Sequence, residues 1–501
     1  MRANPLPLLA LLLGACASDP YALAPLSAER PWPLPLPPAA PPTDLLAPPG
    51  TKPATAPAPA PVVPTAAPAR EPAALAADAV ADRELTLPEL IDLAQRHNPA
   101  TRAAWERARA AAAGVGLVES SYLPQLSVQV IAGMQRTPLP IPDRLVPKGY
   151  FTSDTRELLP ALAVEWLLFD FGRRAGAERA ARETAFVANV AFTGEHQRLI
   201  HAVTRDYLAL VAARGRQRAA VRAVEAAGTD LAAVDARRER GLATVVDQAK
   251  ARRQSARATL GLARADGALR QARTDLLASL GLPPATPLRV REDDDAPLPA
   301  LPVTDLDGLL ADALQRRPDL LASLGRERAA EARLDLARAD EGPTLALAGR
   351  VFQNLGALRA DDGPWASVNR SGNALLLRFS LPLSDGGRRD SRIAAARAEV
   401  EAARAEHDHA IDAAAREIGA ARESLRTALA EYEAAVALAD AARIARDAAQ
   451  EAWLRGVGNH TSLIDADNSL AQADSAVEDA RAAARLAAAT LAFTTGAAGQ
   501  P

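Results

Sequence analysis

Two patterns of apolar residues divide the chain. Over most of its length apolar residues recur at steps of three, four and seven. In four short segments, Pro124–Met134, Ala161–Phe169, Thr344–Phe352 and Ala374–Leu383, the step falls to two. In the first, Leu126, Val128, Val130 and Met134 alternate with Gln125, Ser127 and Gln129; in the fourth, Leu375, Leu377, Phe379 and Leu381 alternate with Arg378 and Ser380. Alternation over ~9–11 residues is what a membrane-crossing β-strand requires, with one face toward lipid and one toward a polar lumen. Four strands cannot close a barrel, and an open strand edge does not survive in lipid. A membrane barrel made from these segments must therefore be shared between chains, and three copies would supply twelve strands.

The remaining pattern predicts long helices. No proline occurs from Ala161 to Leu282 or from Leu383 to Gln500. Each of these stretches holds about 70 residues between a strand end and a glycine turn, about 105 Å of helix at 1.5 Å per residue. Shorter helical segments, about 87–121, 247–281, 306–341 and 462–495, are each about half that length. Ile393, Val400, His407, Ile411, Ala414, Ile418, Ala421, Leu425, Ala428 and Tyr432 follow coiled-coil spacing along the second long helix. Small alanines at many of these positions permit close helix approach.

The elements come as two repeats. One opens at Leu87-Pro88-Glu89-Leu90 and Asn98-Pro99, the other at Leu306-Asp307-Gly308-Leu309 and Arg317-Pro318. Phe169-Asp170-Phe171-Gly172-Arg173-Arg174 answers Ser384-Asp385-Gly386-Gly387-Arg388-Arg389, and Arg240-Gly241-Leu242 answers Arg455-Gly456-Val457. The last two correspondences share an offset of 215, so the segment between them has kept its length in both copies. Each repeat reads as a helix hairpin rising from a strand pair. The boundaries that follow are a signal over 1–15, a tether over 16–84, repeat 1 over 85–282, a proline-punctuated linker over 283–305, repeat 2 over 306–496 and a tail over 497–501.

Composition sharpens this picture at the N-terminus. Arg2, the apolar run Leu6–Leu13 and Leu13-Gly14-Ala15-Cys16 form a secretion signal too short to span a bilayer. The single cysteine excludes intrachain disulfides and Cys-based zinc sites. Leu-Gly-Ala-Cys resembles the lipobox of bacterial lipoproteins, which implies acylation of Cys16; Ala17 and Ser18 after it then imply sorting to the outer membrane. Residues 20–72 hold 18 of the 39 prolines, the composition of an extended, disordered tether. A net charge of −3 gives no reason to expect nucleic acid, and aromatics at only 4% suit close-packed helices rather than a thick globular core. No phosphate-binding loop, zinc-protease motif or nucleophile elbow occurs, and His407 and His409 fall on different helix faces. No catalytic residue, metal or cofactor is expected beyond a lipid on Cys16.

The duplicated motifs resemble those of TolC-type outer-membrane efflux proteins. The residues that carry the resemblance are Leu85-Thr86-Leu87-Pro88 with Asn98-Pro99, Tyr122-Leu123-Pro124-Gln125-Leu126, Trp166-Leu167-Leu168-Phe169-Asp170-Phe171-Gly172 and the two glycine turns, within about residues 85–496. The resemblance implies a mainly α fold with a membrane β-barrel. It implies a homotrimer whose shared twelve-stranded barrel, four strands per chain, continues into a long α-helical periplasmic tunnel. The implied role is a passive exit duct, with no catalysis, for an inner-membrane pump reached through a periplasmic adaptor. The alternatives are the outer-membrane component of a type I polypeptide secretion system and, in another class, a lipid-anchored periplasmic coiled-coil scaffold; alternating strands argue against the scaffold.

The same resemblance assigns candidate residues. Gly241, Leu242 and Ala243 with Gly456, Val457 and Gly458 would form the periplasmic tip that meets the adaptor; the glycines serve equally as helix C-caps. Asp247, Trp453, Ser462 and Asp465 fall at positions of an entrance gate. There Asp247 would bond the aromatic residue at 453, and Asp465 would belong to an acidic ring in which Ser462 replaces a second aspartate. Asp247 and Asp465 read equally as ordinary charges at helix N-termini. Gln135–Leu159 and Asn354–Gly372 are expected as loops outside the cell, and Trp166, Phe379 and Phe352 as lipid-facing aromatics.

Overall fold

The structure is a computed structural model that describes residues 19, 21–34, 83–140, 149–291, 297–340 and 342–498. The signal and Cys16 lie outside the described residues, as does most of the tether. In chain order the elements are β1 (Glu84–Leu85), α1 (Leu87–His97), α2 (Pro99–Glu119), β2 (Gln125–Pro140), β3 (Tyr150–Phe169), α3 (Arg173–Glu239), α4 (Val245–Ser279), β4 (Arg289–Val290), α5 (Leu306–Arg316), α6 (Pro318–Ala339), β5 (Thr344–Ala360), β6 (Ala366–Ser380), α7 (Arg388–Leu454) and α8 (His460–Thr494). The duplication is complete in the hairpins: α3 and α7 have 67 residues each, α4 and α8 have 35 each, and both pairs are offset by 215. The predicted half-length helices at 87–121 and 306–341 are each broken once. Pro99 and Pro318 force Asn98 and Arg317 into extended backbone, with ψ of 124° and 119°.

Two compact units share these elements. One holds the sheet, in the order β2-β3-β5-β6 with antiparallel neighbours, and the helix ends beside it. Cross-strand partners share a face, so the register assigns the two faces. Leu126, Val128, Val130 and Met134 lie on one face with Trp166, Val351, Leu375, Leu377 and Phe379, all exposed. The opposite face carries Gln125, Ser127, Gln129, Glu165, Arg350 and Arg378, together with the exposed Ile131 and Leu376. Phe352 belongs to this polar face, not to the apolar belt expected for it. It lies across Gly372 of β6, where any side chain would fall inside its ring, and the Arg350 guanidinium sits 5.0 Å from its centroid.

The strands are also longer than the alternation predicts, running from 15 to 20 residues. Much of Gln135–Leu159 and Asn354–Gly372 is strand rather than loop. Polar residues and prolines there hide the period-2 signal, but register pairing continues through Pro140↔Tyr150 and Leu358↔Ala366. Pairing of β3 with β5 lapses between Arg156 and Ala161, where Pro160 has no N–H to contribute.

The other unit is helical. Leu90 and Ala94 of α1 pack with Leu199, Val203, Leu210, Leu276 and Leu277 of α3 and α4. The second repeat builds the equivalent cluster from Leu309 and Ala313 of α5 with Ile418, Leu425, Ala484 and Leu491 of α7 and α8. The predicted seam of α7 is buried at Ala414, Ile418, Ala421, Leu425 and Ala428. His407 on that seam bonds Ser323 Oγ through Nδ1 at 2.8 Å.

Residues 21–34 depart from the free tether expected of them. Trp105 Nε1, buried, donates to the Pro25 carbonyl at 2.9 Å, and Thr193 Oγ1 donates to the Trp32 carbonyl at 2.9 Å. Ala28 and Trp32 pack against Trp105 and Phe192. In the sheet-bearing unit, Arg109 lies 4.2 Å from the Tyr21 ring centroid. Two aromatic residues among the prolines give this segment apolar surface to bury, which composition averaged over 53 residues conceals.

Candidate functional site

Each hairpin ends in a turn set by glycine. Gly241 and Gly456 have φ of +76° and +77°, a left-handed backbone that glycine adopts without Cβ strain. Leu242 N–H donates to the Arg237 carbonyl at 2.8 Å, and Val457 N–H to the Ala452 carbonyl at 3.0 Å, closing each helix with a paired C-cap. Leu242 and Val457 stand out at 72% and 83% exposure. Ala243 is half-buried. Gly458 is glycine for a different reason: a Cβ there would come within 2.9 Å of Ala452.

The return helices start with caps of different chemistry. Thr244 and Asp247 form a reciprocal capping box: Asp247 N–H donates to Thr244 Oγ1 at 3.1 Å, and the Asp247 carboxylate accepts from Thr244 N–H at 2.9 Å. The Thr244 donors hold the Asp247 carboxyl below the usual range. At α8, Asn459 Oδ1 accepts from Ser462 N–H at 2.8 Å and from Ser462 Oγ at 3.0 Å. Asp465 is exposed, and among the described residues its carboxylate makes no ion pair.

The link expected between Asp247 and Trp453 is replaced by other partners. Asp247 is engaged by its own cap. Trp453 instead has the Arg237 guanidinium 4.1 Å from its centroid and the His460 ring 5.1 Å away. His460 Nε2 lies 2.6 Å from Asp230 Oδ2, with both side chains almost wholly buried. This contact joins α3 to α8, and so hairpin to hairpin. Burial pushes the nearby Asp467 carboxyl up against the opposing pull of Arg446, which pairs with it at 3.2 Å. Lys250 Nζ donates to Thr461 Oγ1 at 2.9 Å, and Gln254 bonds Asn468 at 2.8 Å. Farther along, Arg216 pairs with Asp479 at 2.9 Å and Arg222 with Asp474 at 3.0 Å. Arg216, Arg222, Gln254, Asn468, Asp474 and Asp479 border a cavity of about 810 Å³ floored by alanines of α3, α4 and α8. His460 and Asp230 are 230 residues apart, beyond the reach of any periodicity, and only the duplication hints that the hairpins lie side by side.

Among the described residues no group of three or more His, Cys, Asp or Glu side chains could hold a metal ion, and no helix is long and apolar enough to cross a membrane. The described residues present, at the hairpin ends, two capped helix starts and hydrogen bonds from one hairpin to the other.

The profile of the family described as outer membrane efflux protein matches residues 90–282 and 309–497, the two repeats. The chain belongs to this family. Among curated relatives, protein CyaE of Bordetella pertussis is 34% identical over 324 residues, which is 64% of this chain and 65% of that relative's length. A membrane protein from Pseudomonas aeruginosa superposes with a TM-score of 0.71 at 26% identity, over 83% of this chain and 94% of that one. The outer membrane protein VceC of Vibrio cholerae shares the fold with a TM-score of 0.67 at 20% identity, over 82% and 96% of the two chains. The TolC-like fold expected from the motifs is thus the fold of this outer membrane efflux protein.

Proposed function

We propose that the chain is the passive outer-membrane exit duct of a tripartite efflux system. Three copies close a twelve-stranded barrel whose polar face lines the lumen, and their hairpins form the periplasmic tunnel. The observation that carries this reading is the four-stranded sheet, apolar on one face and richer in polar residues on the other, with β2 and β6 each paired on one edge only among the described residues. Such edges in lipid require neighbours, and membership of the efflux family supplies the context. In this reading Gly241, Leu242, Ala243, Gly456, Val457 and Gly458 meet a periplasmic adaptor, the pump loads the cargo, and Cys16 carries a lipid. Asp465 contributes one carboxylate per copy to an acidic ring at the entrance, which favours cations. A coiled-coil scaffold has no use for the exposed apolar strand face. Planar-bilayer recording from the purified full chain tests the reading: stable conducting pores are expected, and a preparation that never conducts would overturn it.

A further inference from the structure

The cavity between α3, α4 and α8 lies wholly within the helical unit, and its room comes from small side chains. Ala219, Ala223, Ala227, Ala258, Gly261 and Ala471 are in its wall. At the repeat offset of 215, Ala223 answers Leu438, and Ser475, also in the wall, answers Leu260. Leucine at both places would fill space that alanine and serine leave open. A volume of about 810 Å³ is that of a small-molecule site.

The charges around it do not balance. Helices α3 and α4 together carry 19 basic and 11 acidic residues, whereas α7 and α8 carry 12 basic and 18 acidic, so the first hairpin has cations to spare. At the cavity Arg216, Arg222 and Arg446 are each taken by an aspartate, Asp479, Asp474 and Asp467. Asp230 is taken by His460. Arg257 and Arg264 line the same cavity from α4, both exposed, and neither makes a hydrogen bond or ion pair among the described residues. They stand seven residues apart, about 10 Å along one face of the helix. Gly261 lies between them on that face, and a Cβ added there would meet nothing within 4 Å. Two uncommitted guanidiniums thus flank an open patch of backbone beside an alanine wall.

We propose that this cavity binds an amphiphilic organic anion, with its carboxylate or sulfonate head over Gly261 between Arg257 and Arg264 and its apolar body along the alanine wall. Guanidinium is the side chain best suited to an oxyanion head, which it holds through paired N–H donors. A cationic amphiphile would meet two unneutralised positive charges there. A small inorganic anion would satisfy the arginines but leave the alanine wall in water, so the apolar body adds affinity by covering it. Asp230 and Asp467 carry negative charge at the other end of the cavity and keep the head near the arginines. Because α3 and α4 belong to one hairpin and α8 to the other, the bound molecule bridges the two. The site lies within one copy and does not depend on the duct reading.

The test is photolabelling of the full chain in membrane fractions with a diazirine-bearing dodecanoate, the labelled peptides being mapped by mass spectrometry. Label is expected in residues 219–227 of α3 and 470–476 of α8, besides the apolar sheet face, where any lipid-like probe partitions. Arg257→Gln with Arg264→Gln should lower the helical label about tenfold, the loss of a charge-assisted hydrogen bond, and leave the sheet label unchanged. The same chain bearing a trimethylammonium head should label the sheet alone. Ala223→Leu with Ser475→Leu keeps both arginines, narrows the cavity and should also remove the helical label. If this pair fails to reach the membrane, the arginine variant, altered only at exposed side chains, still decides. Equal helical labelling by the two heads, or labelling indifferent to the arginines, would overturn the proposal. Displacement of the probe by inorganic phosphate would make this a small-anion site and overturn it too. So would a helical label that appears only in dissociated chains, because protein would then fill the cavity in the assembled particle.

Discussion

The two hairpins are one design used twice, and their differences show which features the geometry demands. Helix lengths, left-handed turn glycines and alanine seams are kept in both copies. Each of these positions is fixed by backbone strain or by the space between close-packed helices. Surface charge and cap chemistry have diverged. Hairpin one starts its return helix with a Thr-Asp capping box and hairpin two with an Asn cap; hairpin one is basic and hairpin two acidic. Positions constrained only by water were free to diverge.

The largest expected break in this equivalence is a response to acid. His196 of α3 is fully buried, edge-on to Phe192 at 4.7 Å, and burial pushes it down from 6.5 to about 4. Its equivalent in the second repeat is Ile411. Because the folded state resists the proton, the opened state binds it first as pH falls below 6.5. The stability contributed by neutral His196 is therefore whole above 6.5 and is lost progressively toward pH 4, by an amount on the order of a few kcal/mol. Hydrogen exchange should show residues 25–32 and 188–197 loosening between pH 6.5 and 4.5 while the region around Ile411 holds. His196→Ile should abolish the difference; equal loosening in both repeats would contradict the assignment.

Next in size is the buried pair between hairpins. His460→Ala leaves Asp230 without its partner, and Asp230→Ala does the reverse. A buried polar group left unsatisfied costs about 1–3 kcal/mol. Limited proteolysis should cut the hairpin ends faster in either variant, and unchanged rates would mean the pair is dispensable. The turns come third. Gly456→Val and Gly241→Val each impose a strain of about 1–2 kcal/mol, and both variants should keep assembly while losing transport. Normal transport would leave these glycines only their capping role. The smallest effects sharpen the cap comparison: Thr244→Ala and Asn459→Ala should each cost about 1 kcal/mol, read from local exchange rates. Asp465→Ala should weaken cation preference in bilayer recordings without changing assembly, and unchanged selectivity would make it a plain helix-start charge.

The sequence shows most of this architecture because its signals are periodic. Alternation located all four strands, the 3-4-7 spacing located the seam from Ala414 to Ala428, and glycine in a helix-ending context located both turns. What it hides depends on contacts between distant residues. The polar upper halves of β2 and β3 are strand because each pairs with the other, not because either alternates. Residues 21–34 are held by Trp105 and Thr193, far along the chain. At the hairpin ends the resemblance pointed Asp247 toward Trp453, while the local Thr244-x-x-Asp247 spacing already described the capping box that engages it. Nothing near His460 in sequence reveals Asp230, its partner across the hairpins.

The claim on which the account depends is that one chain supplies a third of a closed barrel. Single-particle imaging of the purified full chain in detergent tests it directly. The account predicts three copies around one axis, each contributing β2, β3, β5 and β6 to a barrel of twelve strands, with β6 of one copy beside β2 of the next. A particle holding a single chain, with the outer edges of β2 and β6 unpaired or joined to each other, would contradict it.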